Sequence, residues 1–376
     1  MEMGLKKMKE VLKQKRNLIL ICWPLGLIIL LLVKNSRDIA EYVFARGIYR
    51  VYGTAFSFIN GLLPFSVGEW LLIIFCLCVA AFPIVTVILV IKRKNKAATL
   101  ISCIRYLLIA GGVVFLWFII GAGTNYYRYE FSTFSGLEIR KSSVDELYEL
   151  CLRLAEKTNA AREELGVEEG KTFTSALSDR ERAGEARKAM EKLSEEYDVL
   201  KGYYPYAKPV LFSRALSEFN ITGVYFPWTV ESNVNVDIPD YSLGAVLCHE
   251  LSHLRGFMRE DEANYIGYLA CVGSDCAELK YSGYMMALIN AGNQLYSADK
   301  DKYYEVRSMY SDGVNLDLKE NSEYWEQFKD TPLSTAGEKM NNTYLKMNNV
   351  EDGTKSYGRM VDLLLAEWRK NNKEKN

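Results

Sequence analysis

Two histidines and a glutamate stand together in the segment His249-Glu250-Leu251-Ser252-His253, and the chain has no other histidine. On a helix, residues i and i+4 lie on one face, so both imidazoles can bind one ion. Glu250 follows the first histidine and can hold a metal-bound water. Zinc lowers the pKa of such a water towards neutrality, and a neighbouring carboxylate then accepts its proton. The segment therefore predicts a site for one Zn²⁺ per chain, with Glu250 as general base.

The alternative is that both histidines are solvated side chains on an exposed helix. The HExxH pattern does occur by chance on such helices. Here, however, both histidines of a 376-residue chain fall in one pentapeptide around a glutamate. That coincidence favours the metal site.

A catalytic zinc needs a third protein ligand, and a downstream acid must supply it. The segment Arg259-Glu260-Asp261-Glu262-Ala263-Asn264 offers the obvious carboxylates. Glu260 and Asn264 are four residues apart, which suits a glutamate ligand followed by a group that orients a ligand histidine. We favour Glu260 as the third ligand, and Glu262 is the alternative.

The elements that position these residues can be predicted from local patterns. Ile221–Trp228 and Ser232–Ile238 are typical of short strands, and the first lies where zinc peptidases place an edge strand that pairs with substrate. An ordinary core strand is the alternative. A helix is predicted from Asp240 or Ser242 to Gly256, and a second at about Glu260–Val272. Helical runs are also predicted within 143–200 and at about 283–297, 301–310, 320–330, 335–348 and 356–370.

Two further features of the C-terminal part of the chain support weaker hypotheses. Tyr357 and Arg359 are candidates, by elimination, for the donor that stabilises an oxyanion in such sites. Cys271 and Cys276 either form a disulfide outside the cell or remain buried thiols. The eight cysteines include no CxxC, which argues against a zinc ribbon or a thioredoxin-like motif.

Three uncharged stretches in the first third of the chain are long enough to span a bilayer, at 17–33, 70–91 and 106–127. No small-residue cleavage site follows the first, so it is predicted to be a signal anchor. The uncharged stretch Val51–Gly68 contains three glycines and a proline, and is predicted to be an interfacial or re-entrant segment. Tyr126, Tyr127 and Tyr129 are interpreted as an aromatic belt at the end of the third span.

The distribution of charge predicts the orientation. Residues 1–16 carry a net charge of +4 and residues 92–105 carry +5, whereas the longer loop 34–69 carries +1. The N-terminus and the 92–105 loop should therefore be cytoplasmic, and the remainder of the chain extracytoplasmic. Because the whole chain is −1 and these three segments total +10, residues 106–376 carry −11. Such an acidic exterior does not suit nucleic acid or an anionic lipid surface as the main partner.

Two resemblances can be stated on these residues. HELSH followed by an ExxAN segment resembles the glutamate-zincin (gluzincin) peptidases over about residues 221–273. This resemblance implies His249 and His253 as ligands, Glu250 as base and Glu260 as third ligand, although Asn264 stands where many gluzincins have aspartate and the gap from His253 to Glu260 is very short. Three apolar stretches followed by YFPWTVESNVNVDIP and CHELSHLRGFMREDEANYIGYLAC resemble domain-of-unknown-function family 3810, a bacterial membrane family without an established activity, over nearly the whole chain.

Together these features predict an α+β, mostly helical protein of two parts. Residues 1–123 form a membrane domain with three transmembrane helices, and residues 124–376 form a zincin-like extracytoplasmic domain with a short sheet. The predicted function is that of a zinc endopeptidase anchored in the plasma membrane, acting on a peptide or protein substrate. The alternatives are a zinc-containing sensor or a peptide- or wall-binding protein without turnover, and a structural membrane protein with an accidental motif. The sequence gives no oligomeric state.

Overall fold

The computed structural model describes residues 20–348, 350 and 359–373. Over these ranges the chain is mostly helical with one short mixed sheet, as the sequence predicts. The α-helices are α1 (Cys22–Asn35), α2 (Tyr49–Gly61), α3 (Val67–Lys92), α4 (Lys96–Gly121), α5 (Phe131–Ser135), α6 (Val144–Glu164), α7 (Asp179–Glu196), α8 (Ser213–Glu218), α9 (Asp240–His253), α10 (Glu260–Val272), α11 (Ala277–Ala298), α12 (Lys300–Ser308), α13 (Asp312–Glu326), α14 (Pro332–Met347) and α15 (Met360–Lys373). The strands are β1 (Lys208–Pro209), β2 (Gly223–Phe226) and β3 (Glu231–Val234), and Ile39–Ile48 forms a π-helix before α2.

Helices α3 and α4 are long and apolar enough to cross a membrane, with 26 residues each. At 1.5 Å per residue each is about 39 Å long, against about 30 Å for the hydrocarbon core of a bilayer. The most apolar part of α3 has no buried residue. Exposing such a surface to water is unfavourable, whereas lipid accommodates it.

The first predicted span, at 17–33, corresponds to a shorter helix. Its residues 17–19 lie outside the described ranges, and α1 has only 14 residues. α1 packs against α4, where the ring of Trp23 stacks on Phe115 with centroids 5.1 Å apart and its indole N–H donates to the carbonyl of Leu108 at 2.8 Å. The structure therefore has two helices of membrane-spanning length among the described residues, and a third span stays a prediction.

The limits of the third predicted span, 106–127, are wrong. α4 begins ten residues earlier, at Lys96, and ends at Gly121, so Arg105 lies within the helix. Residues Gly123–Tyr127 form a separate 3₁₀-helix that is mostly buried. The charge at Arg105 does not interrupt the helix, because a long side chain can extend along apolar surface and keep its charged end in water.

The aromatic belt predicted at 126–129 is not seen, because Tyr126 is buried inside the protein, with 5% of its surface exposed. Its hydroxyl donates to the hydroxyl of Tyr344 at 3.1 Å, and that of Tyr129 donates to Asp38 at 2.9 Å. These tyrosines therefore connect the end of α4 to other parts of the protein.

The segment predicted to be interfacial or re-entrant contains α2, which continues the π-helix Ile39–Ile48. One side exposes large apolar side chains, among them Val51, Phe58 and Ile59. The other side packs on the sheet, where the side-chain amide of Asn60 donates to the carbonyl of Thr229 at 2.7 Å. α2 is therefore amphipathic, with its polar contacts directed to the domain that follows.

The sheet is small and has the order β1-β3-β2. β3 pairs in parallel with β1 and antiparallel with β2, in the register Gly223↔Val234 to Phe226↔Glu231. The observed strands are shorter than predicted, and β1 was not predicted because two residues carry no periodic pattern. β2 lies at one edge, and it is held over α9 through β3, where the Ser232 hydroxyl donates to the carbonyl of Glu250 at 2.7 Å.

The turn between β2 and β3 connects the sheet to the apolar helices. The Trp228 indole N–H donates to the carbonyl of Val114 in α4 at 3.1 Å. Buried Glu231 accepts hydrogen bonds from the backbone N–H groups of Val67 and Gly68 at the start of α3, at 3.1 and 2.7 Å, and forms an ion pair with Lys208. A carboxylate at a helix N-terminus is favourable because of the exposed N–H groups and the helix dipole. The sheet and the helical hairpin are thus packed as one structure.

The largest core lies among α6, α7, α9, α10 and α11. α9 and α10 approach closely because α10 presents small residues to α9. A Cβ built on Gly267 would lie 3.0 Å from the backbone nitrogen of His249, so no larger residue fits there without a shift. Helix limits agree with the predictions for α10, and approximately for α9, whereas α13 begins eight residues before the predicted 320–330 helix.

Candidate metal centre

Helix α9 places His249 and His253 one turn apart near its C-terminal end. Their ring centroids are 4.8 Å apart and the rings are perpendicular. Both side chains are largely buried, with 12% of the His249 side chain exposed and 6% of His253. The alternative of two solvated histidines on an exposed helix is therefore not what the structure has.

Each imidazole is oriented through its Nδ1 atom. Nδ1 of His249 lies 2.8 Å from Oδ1 of Asn264, and Nδ1 of His253 lies 2.6 Å from the carbonyl oxygen of Phe257. A carbonyl oxygen can only accept, so each ring donates through Nδ1–H, and Nε2 is the nitrogen that remains for a metal ion or a carboxylate. This arrangement is typical of metal-binding histidines, in which the second nitrogen is held by a neighbouring acceptor.

Glu260, the first residue of α10, brings a carboxylate to the same place. Its Oε2 lies 3.1 Å from Nε2 of His249. Ligand atoms of His249, His253 and Glu260 all lie within 4.8 Å of one another, so these three residues could hold a metal ion. The turn Gly256–Arg259, in which Gly256 has a φ of +79°, makes this possible because it reverses the chain within six residues of His253.

Glu262 lies on another side of α10. Its Oε1 accepts a hydrogen bond from the backbone N–H of Phe131 at 2.7 Å, and 4% of the residue is exposed. Burial, and then the neighbouring charge of Asp261, raise the pKa of Glu262 to about 8. Glu262 therefore stabilises the start of α5 and does not join the histidines.

Glu250 is buried beside the His249–His253–Glu260 group. Its Oε2 has no hydrogen-bond partner among the described residues. Burial raises the pKa of Glu250 to about 8, the charge of His249 opposes that effect, and the charge of Glu260 adds to it. Gly223 of β2 lies directly against this side chain, since a Cβ on Gly223 would be 2.7 Å from Cγ of Glu250. The absence of a side chain at Gly223 thus leaves the space that Glu250 occupies.

The two histidines differ in protonation. Burial lowers the pKa of His249, but the hydrogen bond and the charge of Glu260 outweigh it and raise the value to about 9. Burial lowers the pKa of His253 to about 4, against the attraction of Glu260. Glu260 therefore shares a proton with His249, and a cation that binds the group would displace this proton.

A group of tyrosines links the centre to helices α2 and α4, and sequence reasoning did not find it. The Tyr49 hydroxyl on α2 donates to the carbonyl of His253 at 3.1 Å and lies 2.9 Å from the hydroxyl of Tyr225. Tyr225 in turn donates to the carbonyl of Gly121, the last residue of α4, at 3.1 Å. Tyr49 and His253 are 204 residues apart, so no local pattern in the sequence could have indicated this contact.

The remaining candidates do not join the centre. Tyr357 lies outside the described residues. Arg359 forms an ion pair with Asp261, with its Nε 3.2 Å from Oδ2. Cys271 and Cys276 are free thiols, and the Cys271 thiol lies 3.6 Å from the carbonyl oxygen of Gly244. The alternative of a disulfide between them is not what the structure has.

One comparison with known proteins gives a match. A family model described as "Protein of unknown function (DUF3810)" matches residues 44–365, which is most of the chain. The chain belongs to this family. No curated protein and no solved structure matches.

The part of the chain that matches DUF3810 contains all elements of the candidate centre. It starts within the π-helix and includes Tyr49, both long apolar helices, the sheet, α9 and α10. The DUF3810 model thus covers both the apolar helices and the His249–His253–Glu260 group, which are joined in space by Tyr49 and Tyr225.

Proposed function

We propose that this protein is a membrane-anchored zinc endopeptidase that hydrolyses peptide bonds outside the cytoplasm. The observation that carries the proposal is the convergence of His249, His253 and Glu260 beside a buried glutamate, Glu250, whose Oε2 has no described partner. Two imidazoles and one carboxylate are a ligand set typical of catalytic zinc, which keeps a further position open for water or substrate.

Zinc held by these three side chains would polarise a carbonyl group and make a water molecule more acidic. The chain's own contribution is then the placement and protonation of Glu250. A general base is most effective when its pKa lies near the working pH, and burial raises that of Glu250 to about 8. A cation nearby lowers this value, so Glu250 would be ionised and able to accept a proton at neutral pH.

Strand β2 supports a peptide as the substrate. It lies at an edge of the sheet, with β3 on only one side. Its residue Gly223 contacts Glu250, and the ring of Tyr225 lies 5.9 Å from that of His253. An extended peptide that adds to this edge would therefore pass over the metal ligands and be held by main-chain hydrogen bonds.

The position of the centre supports a substrate close to the membrane. Tyr225 contacts both the region of His253 and the last residue of α4. If α3 and α4 cross the bilayer with the basic segment 92–105 inside, the end of α4 at Gly121 lies at the outer surface. The substrate segment would then lie within reach of that surface, as in the exterior part of another membrane protein or a wall-associated peptide.

Cysteine labelling tests this orientation. Lys94→Cys, between α3 and α4, should be protected in intact cells from a membrane-impermeant maleimide, whereas Lys319→Cys, on exposed α13, should react. The unmodified chain, which has eight cysteines, gives the baseline. Labelling at 94 and protection at 319 would refute the extracytoplasmic site.

Turnover and zinc content of the full-length protein in detergent test the activity. Glu250→Gln keeps the size and hydrogen-bonding capacity of the side chain but cannot accept a proton. The variant should therefore retain zinc and hydrolyse a peptide library about 10²–10⁴-fold more slowly than wild type. Glu262→Gln, a buried glutamate of similar pKa away from the centre, is the matched control and should keep both. Full activity in Glu250→Gln would refute the mechanism, and bound zinc with no turnover in wild type would instead support a sensor or binding protein.

A further inference from the structure

A pocket lined by basic side chains lies beside the C-terminal end of α9. It is formed between residues 45–54, the loop 198–201 and Leu254–Arg255, and it opens to solvent. Five basic side chains line it: Arg46, Arg50, Arg128, Lys201 and Arg255. In a chain whose residues 106–376 carry a net negative charge, such a concentration of cations requires a physical reason.

The nearby carboxylates balance only part of this charge. Glu41, which is fully buried, pairs with Arg46 and Arg128 at 2.8 Å. Asp198 pairs with Lys201 at 3.0 Å. Five cations and two carboxylates give the cluster a net charge of +3. Arg50 and Arg255 have no carboxylate within 4 Å among the described residues.

Arg255 is the strongest part of this observation, because it is buried as well as unpaired. Only 7% of it is exposed, and its Nε has no hydrogen-bond partner among the described residues. Its Nη2 donates to the carbonyl of Tyr203 at 3.0 Å. Gly202 leaves room for the guanidinium, since a Cβ there would overlap it. A buried guanidinium that lacks a counter-charge is costly, so an anion from outside the chain is the expected partner.

We propose that this pocket binds a phosphate-bearing group. Several guanidinium groups around one concave space suit phosphate, because each can donate two parallel hydrogen bonds to its oxygens. A single dianionic phosphate also offsets more of the three unbalanced charges than one carboxylate would. The chemistry could be supplied by the headgroup of an anionic lipid or by free phosphate.

The surroundings of the mouth favour the lipid. Arg50 is exposed there, and the neighbouring apolar residues Ile48 and Val51 are 45% and 74% exposed. Apolar side chains next to basic ones on a helix are typical of the membrane interface, where the former contact acyl chains and the latter contact headgroups. The lipid would thus place its headgroup in the pocket and its chains beside α2.

The pocket and the candidate metal centre share Tyr49. Tyr49 lines the pocket, and its hydroxyl contacts the carbonyl of His253. Arg128, another lining residue, donates to the carbonyl of Arg255 at 2.7 Å. A headgroup in the pocket would therefore hold the end of α9, but the binding itself requires no activity at the metal centre.

The test uses the full chain in neutral detergent. Binding of phosphatidylglycerol, phosphatidylcholine and inorganic phosphate is measured by native mass spectrometry and by the thermal shift of the protein. The variants are Arg50→Gln, Arg255→Gln and, as a matched control, Arg37→Gln. Arg37 is another exposed arginine before α2, with a distant partner in Glu130 at 3.8 Å and no part in the pocket.

Phosphatidylglycerol should bind in preference to phosphatidylcholine and should raise the unfolding temperature. Arg50→Gln and Arg255→Gln should each weaken its binding about five- to tenfold, while Arg37→Gln should change it less than twofold. If Arg255→Gln does not fold, the lipid binding of Arg50→Gln, at an exposed position, decides whether the proposal holds. Binding of inorganic phosphate with the same dependence on Arg50, and no preference for the lipid, would support the phosphate site and assign it to free phosphate. Equal binding of both lipids and of phosphate by wild type and Arg50→Gln would overturn the proposal.

Discussion

Four buried or partly buried carboxylates lie within thirteen residues of the chain, and they form two regions with different properties. Glu250 of α9 and Glu260 of α10 lie beside the histidines. On another side of α10, Asp261 pairs with Arg359 and Glu262 accepts a hydrogen bond from the backbone of Phe131. In the first pair, Oε2 of Glu250 has no hydrogen-bond partner among the described residues and Oε2 of Glu260 lies 3.1 Å from Nε2 of His249. The second pair holds α5 and the segment before α15.

This comparison shows why burial alone does not identify a site. Burial raises the pKa of Glu250 and that of Glu262 to about 8. By this measure the two residues are the same. They differ in their partners, because Glu262 is held by a backbone N–H whereas Oε2 of Glu250 has no described partner. The following predictions test whether this difference in partners separates function from stability.

The largest effect is expected at the histidines. His249→Ala or His253→Ala removes one of three ligands, so the zinc content should fall from about one ion per chain to near zero. Metal analysis of the purified full-length protein measures this. Full occupancy in either variant would show that the metal, if bound, is elsewhere.

Substitutions of the two glutamates of α10 should differ clearly in their effect on zinc affinity. Glu260→Gln replaces an anionic ligand with a neutral amide and should weaken zinc binding by about two orders of magnitude. Glu262→Gln should leave zinc affinity within about threefold, because a side chain whose pKa is about 8 is already mostly neutral at pH 7. Competition with a zinc chelator gives both affinities. If Glu262→Gln loses the metal and Glu260→Gln does not, the ligand assignment is wrong but the histidine pair stands.

A smaller loss is expected at Asn264, which contacts His249 and not the metal. Asn264→Ala should lower zinc affinity about tenfold, since it removes the acceptor that orients the ring. Asn264→Asp should restore the affinity, because a carboxylate also accepts from Nδ1–H. An unchanged affinity in the alanine variant would mean that helix packing alone orients His249.

The smallest effect is a dependence on pH. Without metal, His249 has a pKa of about 9, so it carries a proton at pH 7 that zinc must displace. Zinc affinity should therefore rise between pH 7 and 9 and level off above that range. Calorimetry in buffers of different ionisation enthalpy should show release of about two protons per zinc at pH 7, one from His249 and one from Glu250, whose pKa of about 8 the cation lowers. His253, with a pKa of about 4, should add nothing above pH 6. Zinc binding without proton release would contradict the ion pair between His249 and Glu260.

Local patterns in the sequence determined the elements on which the chemistry depends. Helical spacing and capping signals placed α9 and α10, and the spacing of His249 and His253 put both on one face because a helix repeats every 3.6 residues. The length of the uncharged stretch 70–91 predicted α3. These features depend on neighbours a few residues apart, so a single sequence is sufficient to predict them.

Contacts between distant segments were decided by the tertiary structure alone. Glu260 and Glu262 differ by two positions, and only the packing of α10 against α9 and α5 shows which one faces the histidines. The end of α4 at Gly121 and the position of α2 beside the sheet follow from contacts that span more than a hundred residues. The two-residue strand β1 exists because it pairs with β3, 25 residues further along the chain. Tyr49 reaches His253 across 204 residues, and the basic pocket brings together arginines from three separate segments. Such arrangements depend on which apolar and polar surfaces the whole fold brings together. The periodicity of residues along the chain does not predict these long-range contacts.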